Sequence, residues 1–74
     1  MPGSQTIDAR GLRCPLPVLQ AEKIIDVLPP GAVLVVLADD PVARIDIPLL
    51  CRRRGCDCHI VPDGDAISFT ITKL

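Results

Sequence analysis

"GLRCPLPVLQAEKIIDVLPPGAVLVVLA", residues 11–38, contains the change of hydrophobic period that decides the fold. After Cys14, apolar residues fall at Val18, Ala21, Ile25 and Leu28, with Ile24 beside them, while Gln20, Glu22, Lys23 and Asp26 fall elsewhere. That spacing predicts a helix with one buried face. "PPG" at Pro29–Gly31 ends it, because the residue before a proline resists the helical region and proline cannot continue the ladder. "AVLVVLA", residues 32–38, then runs without a polar residue. It reads as a strand buried on both faces, or as a central one.

The rest of the chain extends this pattern on both sides. "QTIDA" ahead of the helix is a short strand candidate. "DDP" at Asp39–Pro41 offers a helix cap and a proline for the first turn. The helix that follows is expected in two parts, with Asp46 capping a second segment that runs from Ile47–Pro48 to Arg54. Arg52, Arg53 and Arg54 would then compensate the negative end of its dipole, and Gly55 stops it. "CDCHIV" is a third strand, "PDGD" a hairpin turn, and "AISFTITKL" a last strand. In the last strand Ile67, Phe69 and Ile71 alternate with Ser68, Thr70 and Thr72, so one of its faces is wet. The order βαβαββ predicts a two-layer α/β sandwich, a four-stranded mixed sheet with two helices on one face.

Composition narrows the function. The 74 residues suit one domain and are 49% hydrophobic and 23% charged, a globular profile. Phe69 is the one aromatic, and the net charge is −1. Neither a base-stacking platform nor a basic footprint for phosphate backbones exists, so direct nucleic-acid binding is not expected. The apolar run 32–38 is too short to cross a bilayer, and "MPGSQT" lacks the charged start and apolar stretch of a signal peptide. A cytoplasmic monomer follows as the expectation. In that compartment Cys14, Cys51, Cys56 and Cys58 read as core, metal or reactive thiols rather than a disulfide framework.

Cys14 is the residue placed for chemistry. With the helix expected to begin at Pro15, Cys14 becomes its N-cap, and Pro15 and Pro17 occupy positions where a missing N–H costs little. The prolines stiffen the turn, and of the next donors the amide of Leu16 remains to meet the sulfur. The positive end of the dipole, with Arg13 and Arg10 nearby, is expected to favour thiolate. Helix physics alone leaves a bland capping or core role equally open. No histidine is placed to make a hydrolytic pair, since His59 lies on the third strand.

"DARGLRCPLPVLQAEK", "PPGAVLVVLADDPVARIDIPLLC" and "ISFTITK" resemble the TusA/SirA sulfur-carrier family from about Ile7 to Lys73. The Cys-Pro-x-Pro signature falls on Cys14, Pro15, Leu16 and Pro17, after Gly11-Leu12-Arg13 and ahead of Asp39-Asp40-Pro41. The resemblance implies the same βαβαββ sandwich. It also implies that Cys14 accepts sulfane sulfur as a persulfide from a cysteine desulfurase or rhodanese-like donor and passes it to an acceptor protein. Members serve tRNA 2-thiolation, sulfur oxidation or molybdenum-cofactor sulfur supply. Such a protein is a carrier with sulfurtransferase half-reactions rather than an independent enzyme, and no cofactor is expected. Arg10, Asp39, Asp40, Arg52, Arg53 and Arg54 are the expected partner-facing residues. Two departures are visible: Leu16 stands where tRNA-thiolating members often carry glutamate, and the Arg52–Arg54 cluster is more basic than in better-known members.

The remaining cysteines allow other readings. C-x₄-C-x-C-H over Cys51, Cys56, Cys58 and His59 lacks the two-residue knuckle of structural zinc sites. On a strand Cys56 and Cys58 share a face that His59 does not. Core packing is the expectation for all three thiols. The rivals to a carrier are a regulatory or interaction module, and a redox protein that pairs Cys14 with Cys56 or Cys58.

Overall fold

The computed structural model describes residues 4–74 and has the order β1 (Ser4–Asp8), α1 (Leu16–Val27), β2 (Val33–Ala38), α2 (Ala43–Arg54), β3 (Cys56–Asp63) and β4 (Ala66–Lys73). Part of the "MPGSQT" segment therefore lies outside the described residues. The strands form one mixed sheet in the order β1-β2-β4-β3, with β1 parallel to β2 and β4 antiparallel to both β2 and β3. The expected α/β sandwich is present. Among the described residues no helix is long and apolar enough to cross a membrane.

Period-2 alternation sorts the sheet into two faces. Leu34 pairs with Ile71 and Val36 with Phe69, and all four are buried. They form one core with Ala21 and Ile25 of α1 and Ile47, Leu50 and Cys51 of α2. On the other face Val33, Val35 and Leu37 of β2 stand opposite Thr72, Thr70 and Ser68 and are only half-buried. The expectation that β2 is buried on both faces is therefore corrected, and its alternative, a central strand, is what is found. An all-apolar strand reads as doubly buried, but here the second face meets threonine and serine rather than another layer.

β2 and β3 run in the same direction because each is antiparallel to β4. Both helices thus return the chain to the start of a parallel strand, and they run alongside each other in the same sense. Arg54 fastens the far ends, pairing with Glu22 at 2.6 Å and Asp26 at 3.0 Å. The Lys73 ammonium donates to the Ile25 carbonyl at 2.7 Å, near the end of α1.

α2 is one helix, not two. Pro48 lies inside it, and a proline so placed removes one ladder bond without ending the helix. Asp46 sits in its first turn. Gly55 closes it in the left-handed region at φ +70°, where a side chain would be strained.

Candidate functional site: Cys14 and the carboxylates around it

The loops that follow β1 and β2 leave the sheet at the same end, because the two strands are parallel neighbours. They meet there. The Asp39 carboxylate accepts from the Gly11 amide at 2.9 Å. Asp40 accepts from the Cys14 amide through one oxygen and from the Val42 amide, at 3.2 Å, through the other. Gly11 takes φ +85°, which the turn out of β1 requires and which suits glycine. One buried carboxylate, 5% exposed, thus holds the backbone of Cys14 and the entry to α2 together. The partner-facing role expected of Asp40 is corrected to that of an internal clamp. Asp39 remains exposed.

Cys14 is exposed, and it stands one position further from α1 than expected. Pro15 is the N-cap, Leu16 opens the helix, and the Leu16 amide donates to the Arg13 carbonyl at 2.8 Å instead of to sulfur. Pro17 is buried. The prolines still occupy the turn where backbone donors have no helical acceptor.

The electrostatics are the reverse of the expectation. The Cys14 Sγ donates to Asp46 Oδ2 at 3.2 Å. That bond pushes the thiol above its ordinary value, with desolvation and the charges of Asp46 and Asp40 adding in the same direction. The thiolate expected from the dipole and Arg13 is thereby overturned. The reason is geometric: the sulfur lies outside the capping position, the Leu16 amide is taken by the Arg13 carbonyl, and the sulfur's hydrogen-bond partner is a carboxylate. Arg13 reaches only to Asp39, at 4.0 Å. Arg10 is held by Asp8, which its guanidinium keeps at about 2.

A groove of about 380 Å³ lies beside the sulfur, lined by Pro15, Val18, Asp46, Leu49 and Arg53. Leu16, Val42, Ile45 and Leu49 expose apolar surface on the two helices near this end. Of the four basic residues expected to face a partner, Arg53 borders the groove, Arg52 is exposed, Arg10 is paired with Asp8, and Arg54 is engaged by Glu22 and Asp26.

The other thiols belong to the far end. Cys51 is 1% exposed, and burial, with the neighbouring Cys58 thiol, pushes it up to about 12. Burial also raises Cys58, against a hydrogen bond to Cys51 that lowers it. Cys56 is buried. Cys51 lies near the end of α2 and Cys56 and Cys58 follow it on β3, whereas Cys14 meets that helix at its first turn. No group of three potential metal ligands exists among the described residues.

Asp46 is the site residue that sequence reasoning missed, having taken it only for a helix cap. The available signal was topological. Once β1 and β2 are parallel neighbours, the segment after Asp39-Asp40 must lie beside the Cys14 turn.

Comparison with known proteins agrees with this architecture. The family described as Sulfurtransferase TusA matches residues 5–73. The "Sulfur carrier protein TusA" of Pseudomonas fluorescens (strain SBW25) is 51% identical over 51 residues, covering 69% of this chain and 61% of that protein. The chain thus matches somewhat under two thirds of that relative's length. The crystal structure of a SirA-like protein from Desulfitobacterium hafniense superposes with a TM-score of 0.83 at 31% identity, over 92% of this chain and 95% of the other. With the matched segment spanning nearly the whole chain, the protein belongs to the TusA family.

Proposed function

We infer that this protein is a sulfur carrier and that Cys14 bears the cargo as a persulfide. The observation that carries this reading is an exposed thiol held by backbone at the tip of a proline-stiffened turn, beside an open groove. A relay cysteine must be reached by the sulfur of another protein, and exposure is what permits it. In the loading step the Cys14 sulfur attacks the outer sulfur of a donor persulfide. A new S–S bond forms at Cys14, the donor's S–S bond breaks, and the donor sulfur leaves with the electron pair and takes up the proton lost by Cys14. No outside oxidant or reductant is needed. Unloading repeats the exchange with the acceptor's thiol as nucleophile.

The donor is of the cysteine desulfurase or rhodanese-like class, and the acceptor belongs to tRNA 2-thiolation, sulfur oxidation or molybdenum-cofactor supply. The apolar residues near the groove, with Arg53 and the exposed Asp39, form the docking face. A redox role pairing Cys14 with Cys56 or Cys58 is disfavoured, because those thiols follow the opposite end of α2. Incubation with a cysteine desulfurase and cysteine, followed by mass spectrometry, tests the reading. One sulfur atom gained on Cys14, and none on a Cys14→Ser variant, is the expected result. Loss of two hydrogens with no added sulfur would point to a disulfide and overturn it.

A further inference from the structure

The thiol of Cys14 donates to a carboxylate, an unhelpful arrangement for a nucleophile that must react. Asp46 Oδ2 lies 3.2 Å from the sulfur, and Asp40 holds the amide of the same residue. Among the described residues no basic side chain pairs with Asp46: Arg13 turns to Asp39, Arg10 to Asp8 and Arg54 to Glu22 and Asp26. Arg53 borders the same groove without forming an ion pair. A thiolate or persulfide anion formed here would meet an uncompensated negative charge. Arg53 lines the groove but does not pair with Asp46, so a cation carried in by a docking partner would supply the missing compensation.

We propose that Asp46 holds Cys14 as the neutral thiol in the free protein, and that a donor or acceptor carrying a basic side chain beside its reactive sulfur lifts this restraint by pairing with Asp46. The inference rests on the carrier reading and names the chemistry of the partner. It makes Asp46 a specificity-determining residue. The free carrier reacts slowly with stray electrophiles and small persulfides, and quickly only where docking supplies the cation. The exchange itself is unchanged in balance, since the thiol proton still ends on the departing donor sulfur.

The test compares wild type, Asp46→Asn and Asp46→Glu. The midpoint of Cys14 ionisation is read from the pH dependence of iodoacetamide alkylation, with the site confirmed by mass. Asp46→Asn is expected to lower the midpoint and speed alkylation at neutral pH about three- to tenfold, because a midpoint lower by about one pH unit gives roughly ten times more thiolate there. Asp46→Glu, which keeps the charge, is expected to stay near wild type. A purely structural role, as the acid in the first turn of α2, would change the melting temperature and leave the midpoint unmoved, which would overturn the proposal. A second arm loads each protein from glutathione persulfide and from the persulfide of a Cys-Arg dipeptide. Wild type is expected to favour the arginine donor by about threefold, the scale of one exposed charge pair, and Asp46→Asn to lose the preference. Equal loading of wild type from both donors would overturn the partner chemistry. If neither donor adds sulfur to wild-type Cys14, the partner chemistry is overturned, while the desulfurase experiment decides the carrier reading and the midpoint comparison decides whether Asp46 restrains the thiol.

Discussion

Asp40 shows how much one side chain can determine at the residue scale. Its two oxygens accept from the amides of Cys14 and Val42, so it joins the turn that presents the sulfur to the start of α2. Replacing Asp40 by alanine leaves two amides without their acceptor. The expected loss is about 1–3 kcal/mol. It would appear in the denaturant midpoint, with Asp40→Asn, which keeps one carbonyl acceptor, losing less. The role was not legible in the sequence. An aspartate ahead of a proline and a helical pattern reads as a helix cap, whereas Val42 is the N-cap of α2 and Asp40 accepts from its amide in the turn before the helix. Its second bond crosses 26 residues to Cys14, and no local pattern encodes that. The exposed turn of Cys14 was signalled by the Cys-Pro-x-Pro resemblance, whereas helix physics alone left a bland capping or core role equally open. The protonation of Cys14 was not legible, because Asp46 acts on it from another helix.

At the scale of elements, the two helices are bound by different means at their two ends. At the start they share the carboxylates around Cys14. At the end Arg54 bridges to Glu22 and Asp26 across partly exposed surface. Exposed pairs of this kind contribute little, so Arg54→Ala is expected to lower the melting temperature by no more than about 5 °C. It is also expected to leave sulfur loading of Cys14 unchanged, because the pair lies at the other end of α1. Pro48 offers the opposite test. A proline in a helix interior is about 3 kcal/mol less favourable than alanine, and part of that has been absorbed by the surrounding packing. Pro48→Ala is expected to stabilise the protein by about 1 kcal/mol, measured by chemical denaturation. Sequence reasoning split this helix at Asp46 because proline and aspartate together usually mark a start. The buried series Ala43, Ile47, Leu50 and Cys51 outweighs that local signal and carries the helix through.

Across the whole molecule one core supports everything, and it is small. Phe69 is fully buried on the central strand β4 and is the core's one aromatic ring. Truncating such a residue to alanine costs about 3–5 kcal/mol, against a total stability on the order of 5–15 kcal/mol. Phe69→Ala is therefore expected to abolish or severely lower the cooperative thermal transition followed by circular dichroism. The same core makes stability depend on alkaline pH. The Cys51 thiol titrates at about 12 when folded against 9.0 for an ordinary thiol. Its folded-state value is raised, so its contribution is complete below pH 9 and is lost as pH climbs toward 12. Cys58 and Cys14, also raised, act in the same direction. Denaturant midpoints measured across that window should fall, and Cys51→Ala should flatten the decline. At this scale the sequence was most readable. The switch from helical to strand period, the "PPG" stop and the alternation of residues 66–72 together leave few alternatives to βαβαββ. What period alone could not supply was the strand order, which places β4 in the interior and leaves β3 on an edge.

The segregation of sulfur within this fold has a practical result. Of four thiols, one stands in solvent and three are withdrawn to varying depth at the other pole. On the carrier reading proposed above, a delivery to the wrong cysteine would trap cargo where no acceptor can collect it. With Cys51 and Cys56 buried and Cys58 half-buried, the proposed carrier role would make stoichiometry a property of shape: one molecule, one parcel.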